Sequence, residues 1–275
     1  MTGFKFGLIG GGVMGEALLS RLIAQNIYSP QDAIVSEPQA QRRAVLQQQY
    51  GVEVTDDNRK AAEVSEVLLL AVKPQILDAV ISDLAALSLG DTPNPESEVV
   101  IISILAGVPL SKLESAFLHR PVVRVMPNTP ATVGAGISAI APGKAVKPDH
   151  LERAKNILAA VGEVVEVPES LLDAVTGLSG SGPAYVALMV EALSDGGVAA
   201  GLPRAIASKL ALQTVLGTAE LLQQTGMHPA ELKDRVTSPG GTTIAGVGKL
   251  EQAAFRSALI EAVKAACERS KELGR

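Results

Sequence analysis

The feature that most constrains the fold is a run of glycines set directly behind a short apolar strand. Phe4-Lys5-Phe6-Gly7-Leu8-Ile9 leads into Gly10-Gly11-Gly12-Val13-Met14-Gly15, after which a helical pattern continues from Glu16 to Asn26. In this strand-turn-helix context the GxGxxG spacing has a physical meaning. The first glycine permits a tight turn, the second lets backbone approach a pyrophosphate, and the third lets the helix pack closely on the strand. The first N–H groups of the helix have no intrahelical partner and are left to face the phosphates. The spacing predicts a dinucleotide site; the competing reading is a glycine-rich turn without a ligand.

Two different periods divide the chain. Over residues 1–168, short β-branched runs alternate with amphipathic stretches, and Phe4 to Ile9, Ala33 to Ser36, Val67 to Val72, Val99 to Ile104 and Val122 to Met126 read as strands. These runs are apolar throughout, as expected of a parallel α/β sheet covered by helices on both faces. Gly90-Asp91-Thr92-Pro93-Asn94-Pro95 reads as a surface loop. Over residues 169–275 the β runs vanish and Ala, Leu and Gly recur at helical spacing, so this half reads as all-helical. Its helix from Pro183 to Ala200 carries only Glu191 and Asp195 as charges, and the one from Pro203 to Gln224 is apolar around much of its circumference. Helices so poor in charge need a second covering surface, which predicts an obligate homo-oligomer built on this half.

Composition narrows the function classes. A chain of 275 residues accommodates two domains with separate cores. With no Trp, three Tyr and four Phe, aliphatic side chains must fill both cores. A net charge of -5 with scattered Lys and Arg offers no basic stripe, so nucleic acid is not an expected partner. The longest apolar runs are too short to span a bilayer, and the N-terminus shows no signal-peptide pattern. Together with the single cysteine, Cys267, read as a small packed side chain, this predicts a cytoplasmic protein. His119, His150 and His228 read as surface or turn residues, and no metal site is expected.

The carboxyl ends of the predicted strands carry the remaining site candidates. Ser36-Glu37-Pro38 closes the second strand where an acid meets an adenosine ribose hydroxyl and favours NAD. Ser36 with Arg42 and Arg43 instead suits a 2′-phosphate, with Glu37 turned outward; the arginines otherwise read as a solvated helix face. The expectation is NADPH, with NADH as the alternative. Ala71-Val72-Lys73-Pro74 puts a cation at the same edge, and Met126-Pro127-Asn128-Thr129-Pro130 places Asn128 to hydrogen-bond the nicotinamide or the substrate. In the helical half, Thr237-Ser238-Pro239-Gly240-Gly241-Thr242-Thr243 sets four hydroxyl groups and two glycines before a new helical pattern. Such a loop is either an anion site or a capped helix-to-helix turn.

These stretches, with Leu178-Ser179-Gly180-Ser181-Gly182-Pro183-Ala184-Tyr185 and the segment Pro229 to Glu251, resemble the pyrroline-5-carboxylate reductase family over almost the whole chain. The resemblance implies a Rossmann domain with a doubly wound parallel sheet, then an all-α dimerisation domain that interleaves with its partner's, in many members assembled into rings of dimers. It implies reduction of a carboxylate-bearing cyclic imine to L-proline by NAD(P)H, the last step of proline biosynthesis. Gly10, Gly12, Val13, Met14, Gly15, Ser36, Asn58, Ala71, Val72, Lys73 and Ala106 would line the cofactor. Met126, Asn128, Ser238, Gly240, Gly241, Thr242 and Thr243 would line the cyclic imino acid, with the Thr243 hydroxyl at the ring nitrogen as the catalytic group. Glu37 departs from the small polar residues common in the family. The opening glycines also resemble 3-hydroxyacid dehydrogenases, but the lysine those enzymes carry behind a glycine-rich turn is missing from Gly180 to Met189.

Overall fold

The computed structural model describes residues 3–85 and 99–274, and the loop expected at Gly90 to Pro95 lies outside them. The chain divides into two compact units, one reaching to Gly180 and including residues from Ala266 onward, the other Ser181–Ala265.

The first unit alternates strands and helices: β1 (Phe6–Ile9), α1 (Val13–Ala24), β2 (Ala33–Ser36), α2 (Ala40–Tyr50), β3 (Glu53–Thr55), α3 (Asn58–Ala62), β4 (Val67–Leu70) and α4 (Leu77–Ala85). After the gap come β5 (Val100–Ser103), α5 (Leu110–Ala116), β6 (Val122–Met126), β7 (Gly136–Pro142), α6 (Pro148–Ala159), β8 (Gly162–Glu166) and α7 (Leu172–Val175). The strands form one sheet in the order β3-β2-β1-β4-β5-β6-β7-β8. From β3 to β6 this is the doubly wound order, whose direction of growth reverses between β1 and β4. Successive residues of each strand serve opposite faces. Phe6, Leu8, Val67, Leu69, Val100 and Ile102 join Leu18, Leu19 and Leu22 of α1 in one core. Ile9, Leu68, Leu70 and Ile101 join Ala61, Leu77, Val80 and Leu84 in the other.

Three strands were not legible in the apolar runs. β3 is only three residues long, while β7 and β8 mix glycine, small and charged residues. β7 also runs antiparallel to β6, a correction to the wholly parallel expectation. The connection from Met126 to Gly136 is too short for a crossover of about a dozen residues, so the chain can only turn back on itself. It does so through a 3-10 turn at Thr129–Val133 that ends on Gly134 at φ +77°.

Residues beyond α7 are helical: α8 (Gly182–Ala199), α9 (Arg204–Thr225), α10 (Pro229–Val236), α11 (Thr242–Gln252) and α12 (Phe255–Leu273). The end of α12 belongs to the first unit, where Ser270 Oγ donates to Asp173 Oδ1 at 2.6 Å. In the second unit α8 and α9 pack together, yet Leu188, Leu193, Ile206, Leu210, Leu212 and Leu216 stay exposed. Such an apolar surface is that of a subunit. Among the described residues no helix is long and apolar enough to cross a membrane.

Candidate dinucleotide and substrate sites

The glycine turn joins β1 to α1 beside the point where strand order reverses. Gly10 has φ +103°, and its N–H donates to Ser36 O at 2.9 Å. A Cβ there would lie 2.7 Å from Ala71 O, and one on Gly15 would lie 2.2 Å from Gly10 O. Packing alone therefore fixes both glycines. Gly12 differs: it is the N-cap of α1, no side chain caps it, and an added Cβ would meet nothing within 4 Å. The open face of Gly12 and the free first N–H groups of α1, with Val13 exposed and Met14 half-buried on its first turn, form a cradle that fits a pyrophosphate.

Neighbouring residues of the same edge surround this turn. Ser36 is buried, and its hydroxyl donates to Asn58 Oδ1 at 2.7 Å, while Asn58 Nδ2 donates to Asp83 Oδ2 at 2.9 Å. Glu37 does not turn outward before Pro38. It is buried, with Oε2 accepting from Gly11 N–H and Oε1 from Gln39 N–H, each at 3.1 Å. Nor do Arg42 and Arg43 form a solvated face. Arg42 donates to Gly11 O at 2.8 Å and pairs with Glu16, while Arg43 donates to Glu37 O at 2.7 Å and pairs with Asp56 at 3.3 Å. The pattern of charges did not reveal this because the partners Gly11, Glu16 and Asp56 are brought in by the sheet.

At the next strand ends, Ala71 N–H donates to Ile9 O at 2.9 Å, with Val72 half-buried and Lys73 exposed. Ala106 is exposed after β5, followed by Gly107 at φ +75°. Met126 ends β6 half-buried, and a Cβ on Gly180 would lie 2.6 Å from its terminal methyl. Asn128 Oδ1 accepts from Ile137 N–H at 2.9 Å, which points its amide group through a fixed carbonyl. The fold thus gathers Gly10, Gly12, Ser36, Ala71, Lys73, Ala106 and Met126 at the carboxyl ends of β1, β2, β4, β5 and β6, with Asn58 tied to Ser36.

In the second unit, Ser238 and Gly241 close a turn through Gly241 N–H to Ser238 O at 3.1 Å, with Gly240 at φ +67°. Gly241 is the N-cap of α11 and no side chain caps it. The simple capped-turn alternative therefore lacks its capping hydroxyl. Ser238 and Thr242 are exposed and Thr243 is half-buried in the first turn. The remaining polar candidates settle as structural. His228 caps α10 by accepting from Ala230 N–H at 3.2 Å, and His119 is an exposed turn residue at φ +62°. His150 is a correction: it is buried, its Nδ1 accepting from Lys147 N–H at 3.2 Å at the start of α6. Cys267 is half-buried with a free thiol.

A doubly wound sheet with an open glycine turn at its switch point, joined to a helical unit with an exposed apolar surface, defines a two-part dinucleotide-dependent oxidoreductase. Residues 5–107 match the family described as NADP oxidoreductase, coenzyme F420-dependent, and residues 169–273 match pyrroline-5-carboxylate reductase dimerisation. The chain is 63% identical to the pyrroline-5-carboxylate reductase of a Synechocystis species over 98% of each chain. Its fold is similar to that of a pyrroline-5-carboxylate reductase from Coxiella burnetii, with TM-score 0.89, 36% identity and coverage of 98% and 97%. It is likewise similar to pyrroline carboxylate reductase from Plasmodium falciparum with NADP bound, with TM-score 0.86, 32% identity and full coverage of both chains. The chain belongs to the pyrroline-5-carboxylate reductase family.

Proposed function

We propose that this protein reduces 1-pyrroline-5-carboxylate to L-proline with NAD(P)H, completing proline biosynthesis. The observation that carries the reading is a pair of helix N-termini free of side-chain caps: Gly12 on α1 in the first unit, and Gly241 on α11, next to Thr243, in the second. One suits a dinucleotide phosphate and the other a small carboxylate. We place the functional border between the two parts at Pro168 and Glu169.

The bound nicotinamide supplies hydride to the C=N carbon, and the protein's task is to position and polarise. Gly10, Gly12, Val13, Met14 and Gly15 hold the pyrophosphate, and Ser36 with Asn58 takes the adenosine ribose. Ala71, Val72, Lys73 and Ala106 line the nicotinamide half. Met126 and Asn128 border the substrate ring, the latter through the amide group that its bond to Ile137 orients. Ser238, Gly240, Gly241 and Thr242 bind the carboxylate, largely through backbone N–H groups at the start of α11. Thr243 Oγ1 donates to the ring nitrogen or relays a proton from water, because a threonine hydroxyl is too weak an acid to give up its own.

NADPH is the reductant on this reading, with NADH also accepted, and the place of work is the cytoplasm. The exposed leucines of the second unit are covered in an interleaved homodimer, and rings of dimers form the larger assembly. The deciding assay follows the loss of reduced-nicotinamide absorbance on adding the cyclic imine, with proline identified as product. Binding of dinucleotide without turnover would reduce the protein to a sensor.

A further inference from the structure

Resting on the dinucleotide reading of the first unit, we propose that Glu37 sets the cofactor preference of this chain by holding down affinity for a 2′-phosphorylated adenosine ribose, so that NADH competes with NADPH. Glu37 directly follows the last residue of β2, and its own N–H donates to Thr55 O at 2.9 Å. Only 8% exposed, its carboxylate lies against the glycine turn, with one oxygen on Gly11 N–H and the other on Gln39 N–H. A Cβ added to Gly11 would stand 3.5 Å from Oε2, which places the charge at the turn itself. An ionised carboxylate only accepts hydrogen bonds, and the two backbone donors leave lone pairs on both oxygens. It can therefore receive a ribose hydroxyl and must repel a phosphate.

The cations that would offset this repulsion are already engaged. Arg42 is held by Gly11 O and Glu16, and Arg43 by Glu37 O, Pro38 O and Asp56. Beside Ser36 and its partner Asn58 lies an open groove of 610 Å³ lined by Asp56, Asp57, Asn58, Arg59, Ser82 and Asp83. Its one guanidinium, on Arg59, is paired with Asp57. The carboxylates of Glu16, Glu37, Asp56, Asp57 and Asp83 thus outnumber the guanidiniums of Arg42, Arg43 and Arg59 around the end of β2. Every one of these groups belongs to the first unit.

The test titrates the full chain with NADH and with NADPH, following nicotinamide fluorescence, in the unsubstituted protein and in Glu37→Gln and Glu37→Ser. Removing a like charge facing a phosphate raises the ratio Kd(NADH)/Kd(NADPH) by about tenfold or more, through tighter NADPH binding. A ratio that stays within about twofold in both variants overturns the role of Glu37. Competition on the unsubstituted protein supplies a check independent of how the variants fold. If NADP⁺ displaces NADH more than about a hundredfold better than NAD⁺ does, the proposal is overturned. If neither dinucleotide binds the unsubstituted protein, the dinucleotide reading itself fails and this inference with it.

Discussion

Gly15 faces Gly10 so closely that a Cβ on the first would lie 2.2 Å from the carbonyl oxygen of the second. Helix α1 can sit against β1 only because neither residue projects a side chain into that gap. Gly12, two residues beyond Gly10, has open space where its Cβ would be. The two kinds of glycine should therefore respond differently to substitution. Gly15→Ala is expected to lower stability by about 1–3 kcal/mol, read by denaturant unfolding, because α1 must shift to relieve the clash. Gly12→Val should fold like the parent and weaken dinucleotide binding about tenfold or more, because its side chain fills the space a phosphate needs. Equal binding by Gly12→Val and the parent would remove the phosphate cradle from this turn.

Thr243 lies in the first turn of α11, behind the Gly241 N-cap. Thr243→Ala should lower kcat by roughly ten- to a thousandfold, the range for one oriented donor lost from a reacting centre. Thr243→Ser, which keeps the hydroxyl, should recover most of that loss. Steady-state kinetics on both variants, with assembly checked by light scattering, decides it; an unchanged kcat in Thr243→Ala would leave the residue a plain helix residue.

Leu212 and Leu216 lie one helical turn apart on α9 and are 59% and 49% exposed in the single chain. Introducing a charge there opposes burial in any covered interface. The doubly substituted Leu212→Glu, Leu216→Glu protein should elute and scatter as a smaller species than the parent at the same concentration. An unaltered mass would mean that this surface stays in solvent.

The end of α12 is tied to the first unit by the hydrogen bond from Ser270 to Asp173, a contact between residues 97 apart. A hydrogen bond to a carboxylate is worth about 1.5–3 kcal/mol, and the half-buried setting of Asp173 favours the low end. Ser270→Ala should therefore lose about 1.5 kcal/mol in denaturant unfolding. A loss below a few tenths would mean that apolar packing alone holds the end of this helix.

Tyr28 stacks on Phe6, and its hydroxyl donates to Glu66 Oε2 at 3.2 Å. Burial first, and the Glu66 charge second, push the phenol far above its usual range. Because the folded pKa is raised above the unfolded one, the neutral phenol's contribution to stability is complete below about pH 10 and declines as pH rises beyond it. Tyr28→Phe cannot ionise, so the stability gap between parent and variant should shift in the variant's favour with rising alkaline pH. A gap independent of pH would mean that Tyr28 titrates normally.

Where most of the candidate site residues stand in the fold was legible because it depends on local chemistry. The glycine spacing, the short apolar strands and the proline-bounded loops are patterns within a few residues, and each put its residues on the strand end or helix start where they stand. Glu37, Arg42 and Arg43 were each left with two readings for the opposite reason: their orientation depends on Gly11, Glu16 and Asp56, which share no local pattern with them. His150 looked like a surface residue until α6 placed its ring under the backbone of Lys147. β7 and β8 were missed because glycine, serine, alanine, proline or glutamate interrupts their isoleucines and valines, so no unbroken apolar run marks them, and pairing with neighbours makes them strands.

By itself the sequence determined the kind of elements in each half, the glycine turn behind β1 and the helix start near Thr243, since propensity, periodicity and glycine sterics act over a few residues; whether a side chain caps that helix was left to the structure. Only the tertiary structure decided which way β7 runs, where the Glu37 carboxylate points and what holds the last turn of α12. Those are contacts between distant segments, and their energies exist only once the sheet has brought the partners together.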